Sequence, residues 1–229
     1  LPEEADSWLN WANGNYVHML WSRLEPKMRD YAETLAAMDQ QIGRLLDRLD
    51  QLGLAQNTVV VYAGDNGYLW GEHRQIDKRW AYEESMRIPF LLRYPAGVRQ
   101  PGRRNGEMVL NIDLAPTLLE LAGVEVPGAM QGLSLAPVLQ DPDHLLREDW
   151  LYSYFVDVPY RVPPQHALRT RTHKYIRYER GREDELFDLA ADPQERNNLL
   201  DTEQGQVLLD QLGPRLESLK AAAASGEGE

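Results

Sequence analysis

The stretch "VVVYAGDNGYLWGEHRQIDKRWAYEESMRIPFLLRYP", residues 59–95, opens on a β-branched and aromatic run and turns abruptly polar at Asp65-Asn66-Gly67. An uninterrupted run such as Thr58 to Ala63 is typical of a strand covered on both faces. Upstream of it, Met28, Tyr31, Leu35, Met38, Ile42, Leu45, Leu49 and Leu52 recur at steps of three and four residues, which predicts an amphipathic helix over 25–53. Pro26 suits the first turn of that helix and Gly53 its end. A helix feeding such a strand predicts a layered α/β domain.

Further along, Pro89 to Tyr94 predicts a second apolar strand, and residues 98–106 form a Pro-, Gly- and Arg-rich loop. Asp113 reads as the N-cap of a helix over 114–122 closed by Gly123, and a short helix or turn is expected near 133–139. From Asp149 the texture changes to aromatic strands, over 150–156 and 166–178. The acidic "DELFDLAADPQERNNLL" and a last helix over about 203–222 follow. Strands grouped together and then one helix predict an α+β subdomain with an antiparallel sheet. The expected division is therefore 1–148 for the α/β part, 149–222 for the subdomain and 223–229 for a flexible tail.

With 229 residues, 43% hydrophobic and 26% charged, the chain can bury a sizeable core. It has no cysteine, which excludes disulfides, thiolate metal sites and a cysteine nucleophile within it. The net charge of -12 disfavours binding to nucleic acid or to an anionic membrane, and no apolar run approaches the roughly 18 residues of a membrane span. The charge is uneven: residues 74–104 carry about +5, leaving about -17 for the rest. Such a basic stretch suits either a solvated face or an anion site. The chain begins Leu-Pro-Glu-Glu without Met, and is expected to lack its own beginning.

On local grounds, Asp65-Asn66-Gly67 reads two ways. Asn-Gly sequences are strong turn formers. Yet a carboxylate and an amide oxygen at the C-terminal end of a buried strand lie at the edge where open α/β sheets place their ligands. Tyr68, Trp70 and Trp80 flank the motif and suit either an aromatic wall against a substrate ring or core packing. Glu83 and Arg87 are spaced for pairing along a helix. His18 and His144 have no supporting context.

Four stretches carry a resemblance: "YAETLAAMDQQIGRLLDRLDQLGLAQNTVVVYAGDNG", "LWGEHRQIDKRWAYEESMRIPFLLRYP", "NIDLAPTLLELAGVEVPGAMQGLSLAPVL" and "LRTRTHKYIRYERGREDELFDLAADPQERNNLL". In this order they resemble the type I sulfatases of the alkaline phosphatase superfamily. The resemblance implies the C-terminal part of an alkaline-phosphatase-like layered α/β/α domain, followed by the small α+β subdomain. It implies that Asp65 and Asn66 are ligands of a divalent cation, Ca²⁺ ahead of Mg²⁺ or Mn²⁺. Hard oxygen donors suit such ions, and an amide at position 66 favours the sulfatase branch over the imidazole-rich two-zinc phosphatases.

By the same resemblance Lys78 pairs with a sulfate oxygen. His73 is a further catalytic candidate, with a turn-stabilising role as its alternative, and Trp70 and His166 are substrate-binding candidates. The implied reaction is hydrolysis of a sulfate ester or sulfamate, on a sulfated small molecule or glycan. The alternatives are a phosphonate or phosphate ester hydrolase of the same superfamily, or a truncated binding module. A periplasmic or secreted location is favoured over a cytoplasmic one.

The family's nucleophile is a formylglycine made from Cys or Ser in a Cys-x-Pro-x-Arg or Ser-x-Pro-x-Arg frame. Here the nearest serine frame is Ser134-Leu135-Ala136-Pro137-Val138, without the Pro and Arg. The formylglycine and two further metal-binding aspartates are therefore expected in a missing N-terminal part, and this chain alone is expected to be inactive.

Overall fold

The computed structural model describes residues 24–156 and 162–225. His18 and residues 226–229 of the expected tail lie outside that range. The predicted first helix is α1, Leu24–Gln51, 28 residues long, with Glu25 in its first turn and Arg48 in its last, each complementing the helix dipole. Gly53 closes it with a left-handed φ of 67°. The Leu54 N–H donates to the Leu49 carbonyl and the Gly53 N–H to the Asp50 carbonyl, the double reversal of a Schellman cap.

After a 3-10 turn at Ala55–Asn57 the chain enters β1, Val60–Ala63, which pairs with β4, Phe90–Arg93. Between them, β2 (Leu69–Trp70) and β3 (Ile76–Asp77) make a small antiparallel ladder. Among the described residues, this strand is not covered on both faces as expected. The residues of β1 are half-buried to exposed, because among the described residues its sheet has two strands. The apolar stripe of α1 also faces solvent, with Met28 48% and Leu45 55% exposed.

The chain divides into two compact units. The first takes the segment ending at Tyr62, with Leu69–Asp77 and Phe90–Ala96; the second takes Ala63–Tyr68, Lys78–Pro89 and Gly97 onward. The second unit contains the one-turn helix α2 (Glu83–Met86), α3 (Leu114–Leu121), α4 (Ala136–Gln140) and a four-stranded antiparallel sheet. Its strands β5 (Asp149–Tyr154), β6 (Gln165–Thr170), β7 (His173–Tyr178) and β8 (Glu185–Asp188) lie in sequence order. The predicted run over 166–178 is thus a hairpin, and β8 was not expected, since its acidic flanks mask Leu186 and Phe187, both buried.

The last helix, α5 (Glu203–Ser225), extends through the first residues of the expected tail. Its Leu216 packs with Leu168, Tyr175 and Leu186 in the core of the sheet, and Arg215 holds Asp149 of β5 at 2.7 Å. Burying side chains of this size stabilises by about 2 kcal/mol each, which is what holds α5 on the sheet. Among the described residues no helix is long and apolar enough to cross a membrane.

Asp113 precedes α3 as predicted but does not cap it with its side chain. Its fully buried carboxylate accepts from the Leu110 and Leu133 backbone N–H groups and takes both guanidinium nitrogens of Arg147, at 2.6 and 2.7 Å. Four charge-assisted bonds satisfy the carboxylate, so it serves as a structural joint.

Candidate functional site

Past β1 the backbone is strapped to residues 85–89. The Gly64 N–H donates to the Pro89 carbonyl at 3.2 Å and the Gly67 N–H to the Ser85 carbonyl at 2.8 Å. Gly67 has no left-handed φ. What demands glycine is space: a Cβ there would stand 2.0 Å from the Glu84 carbonyl oxygen and 2.9 Å from that of Arg87. The turn reading of Asn-Gly is thereby replaced by a close crossing of two backbones.

The crossing presents Asp65 exposed and Asn66 half-buried. One Asp65 carboxylate oxygen accepts the Asn66 N–H at 2.9 Å. The Asn66 Nδ2 donates to the Gly67 carbonyl at 2.7 Å, which orients the amide so that Oδ1 receives Lys78 Nζ at 2.8 Å. Of the predicted site residues, Asp65, Asn66 and Lys78 are therefore brought together within the second unit. An amide oxygen that already faces an ammonium, beside a carboxylate, is a hard oxygen pair suited to positive charge.

Lys78 sits in a strained segment. Non-glycine residues with left-handed φ among those described are His73 (52°), Arg74 (57°), Asp77 (88°), Arg79 (89°) and Glu195 (52°), so four of five fall within 73–79. Such strain persists only where the surroundings over-determine it, and it concentrates at functional segments. The Arg79 carbonyl accepts from Tyr152 Oη at 2.9 Å and Gln165 Nε2 at 3.3 Å, and the Ala81 N–H donates to Gln165 Oε1 at 3.1 Å. Sequence reading did not single out Tyr152 or Gln165, because their role depends on the pairing of β5 with β6.

Beyond Lys78, Trp80 is buried and belongs to the core. The Arg182 guanidinium lies 5.2 Å from its ring centroid and 5.3 Å from that of Tyr178, and donates to Tyr82 Oη at 2.6 Å and to Glu185 at 2.7 Å. Burial pushes the Tyr82 and Tyr178 phenols up, so they remain neutral donors to Glu185.

The predicted pairing of Glu83 with Arg87 does not form, since α2 ends at Met86. Glu83 instead meets Lys174, itself fully buried, at 2.8 Å and Arg169 at 3.2 Å. Burial works against ionising Glu83, but those two cations outweigh it and hold its carboxyl below the usual range. Glu195 lies 2.7 Å from the same Lys174 and accepts the Glu83 N–H, while burial raises its own carboxyl.

The remaining candidates are Trp70, His73 and His166. Trp70, in the first unit, donates its backbone N–H to the Glu72 carboxylate at 2.6 Å and packs its ring on Tyr31 at 5.6 Å. His73, also in the first unit, lies in the 3-10 turn Glu72–Arg74. His166, on β6, is held by Ser153 Oγ at Nδ1, 2.8 Å, and by Glu179 at Nε2, 3.1 Å. A neutral ring that donates from Nε2 and accepts at Nδ1 satisfies both contacts.

Burial, assisted by Lys220, lowers the His166 pKa against the opposing pull of Glu179 and Glu217. A folded-state value depressed below the unfolded one, about 6.5, means stability that is complete above that pH and is lost as pH falls through the folded value. An NMR titration of the His166 ring is expected to give a midpoint below the ordinary imidazole value. A midpoint above it would show that the carboxylates dominate.

The family model for the C-terminal region of N-sulphoglucosamine sulphohydrolase matches residues 71–222, and the sulfatase model matches residues 5–124. An N-acetylglucosamine-6-O-sulfatase of Bacteroides thetaiotaomicron is 40% identical over 178 residues, covering 75% of this chain and 32% of that protein. An ulvan-active sulfatase of Formosa agariphila is 31% identical over 208 residues, 89% of this chain and 40% of the relative. A structure solved in complex with its substrate D-glucosamine-2-N,6-O-disulfate superposes with a TM-score of 0.79 at 34% identity, covering 92% of this chain and 42% of the other. The chain thus spans about a third to two fifths of the length of these relatives.

Proposed function

Because the chain belongs to the sulfatase family, we propose that it supplies the sulfate-holding half of a sulfuric-ester or sulfamate hydrolase, acting with an N-terminal portion that carries the formylglycine nucleophile. The observation that carries this reading is the 2.8 Å contact of Lys78 with Asn66, which sets an ammonium on the amide oxygen of the residue next to Asp65. The sulfated amino sugars in the names of two relatives support a sulfated glycan as substrate.

The donor set fits a divalent cation. Asp65 Oδ and Asn66 Oδ1 are hard oxygens, and one of them already attracts an ammonium. Asp65 and Asn66 would hold Ca²⁺, which when bound supplies positive charge that orients the sulfate group and offsets its growing negative charge. Lys78 contributes a compact ammonium within the same reach, stabilising charge on a sulfate oxygen as the S–O or S–N bond breaks. The hydrogen bond from Nδ2 to Gly67 prevents the Asn66 amide from flipping its nitrogen toward the positive charges.

Titration calorimetry with Ca²⁺, on the enzyme carrying this chain behind its N-terminal portion, tests the assignment. Asp65→Ala is expected to weaken Ca²⁺ binding by tenfold or more, on the order of the loss of one charged ligand, and to abolish turnover of an aryl sulfate. Unchanged affinity in that variant would refute the metal assignment.

A further inference from the structure

The four-stranded sheet of the second unit reaches the backbone beside Lys78 at the carbonyl oxygen of Arg79, the next residue. Tyr152 of β5 pairs with Ala167 and Tyr154 with Gln165 of β6, so Tyr152 and Gln165 are diagonal neighbours on one face of the sheet. From that face both donate to the Arg79 carbonyl, at 2.9 and 3.3 Å. One donor would satisfy a carbonyl; here two converge, and one of them is itself fixed. Gln165 is fully buried, its Nε2 shared with the Pro163 carbonyl at 3.3 Å and its Oε1 accepting the Ala81 N–H at 3.1 Å.

The carbonyl so held belongs to a residue with φ of 89°, and Asp77 on the other side of Lys78 has φ of 88°. Side chains other than glycine do not hold such a conformation by themselves. Released, Arg79 relaxes toward negative φ, and the plane of the Lys78–Arg79 peptide rotates with it. Since Lys78 Nζ reaches Asn66 Oδ1 from this peptide, its direction depends on the clamp.

We propose that Tyr152 and Gln165 are positioning residues for sulfate hydrolysis, acting through the Arg79 carbonyl to aim Lys78 at the anion. This rests on the reading of Lys78 as the sulfate contact. The arrangement assigns the C-terminal sheet a part in turnover, although neither side chain contacts Lys78 itself among the interactions described. Burial, the main cause, pushes the Tyr152 phenol to about 12, so the donor stays protonated across the range in which a sulfatase would be assayed.

A double-mutant cycle on the enzyme that includes the N-terminal portion tests this, with an aryl sulfate as substrate and the melting temperature as a fold control. Tyr152→Phe removes one hydrogen bond and little volume. It is expected to lower kcat about tenfold, of the size that loss of one buried hydrogen bond allows. KM should change little, and the fold should persist. In a Lys78→Ala background the same substitution is expected to have no further effect, because the residue it aims is gone.

Gln165→Met, of similar length but without a donor, should repeat the pattern, and it carries the cycle if Tyr152→Phe loses its fold. An unchanged kcat in these variants, or an equal drop with and without Lys78, would overturn the positioning role. A Lys78→Ala enzyme as active as the parent would instead overturn the reading of Lys78, a result separate from the other two.

Discussion

Lys78→Ala, made in an enzyme that joins this chain to the proposed N-terminal portion, is expected to lower kcat/KM by at least about two orders of magnitude, the usual consequence of losing a preorganised charge stabiliser. The loss should fall mainly on kcat, because the ammonium gains most as charge accumulates on the departing sulfate. Lys78→Arg should recover little. The planar guanidinium is longer and cannot occupy the same point beside Asn66 Oδ1, now reached at 2.8 Å. Steady-state kinetics on an aryl sulfate checks both variants. A kcat/KM within a few-fold of the parent for Lys78→Ala would remove the lysine from the mechanism.

Gly67→Ala is the most damaging small substitution expected near the motif. The added methyl would stand 2.0 Å from the Glu84 carbonyl oxygen, a backbone atom with no flexible end to yield. The crossing must open, breaking the 2.8 Å bond from Gly67 to Ser85 and displacing Asn66 from Lys78. Overpacking against backbone is expected to cost about 3 kcal/mol, with turnover lost alongside stability. Chemical denaturation measures the first and an aryl sulfate assay the second. A variant with the parent's denaturation midpoint would show that the crossing is looser than its geometry implies.

How much of this was legible beforehand differs from residue to residue. Asp65, Asn66 and Lys78 were marked by the flanking stretches that resemble a family, although the separation of twelve positions between Asn66 and Lys78 conveys no distance by itself. Their contact needed the chain to double back through β2 and β3. At Gly67 the local pattern of an Asn-Gly pair signals a turn, whereas the physical demand is close passage of another backbone. Asp113 was placed at the right helix end, but its carboxylate is turned toward Leu110, Leu133 and Arg147, the last of which no local pattern connects to it. The strand β8 was hidden because its apolar pair, Leu186 and Phe187, is short and lies amid acidic residues.

The sequence by itself determined α1, with Pro26 near its start and Gly53 at its end, and the strand that runs into Asp65. It also determined the order of motifs that marks a sulfatase. These features depend on periodicity, capping and residue chemistry within a few positions, which are local and can be read in one dimension. Only the tertiary structure decided that Lys174 is buried between Glu83 and Glu195, and that Tyr152 and Gln165 converge on the Arg79 carbonyl. Those contacts depend on strand register, in which a shift of one residue turns every side chain to the opposite face. Nothing in the residues between them records that register, because it is settled by how the sheet packs as a whole.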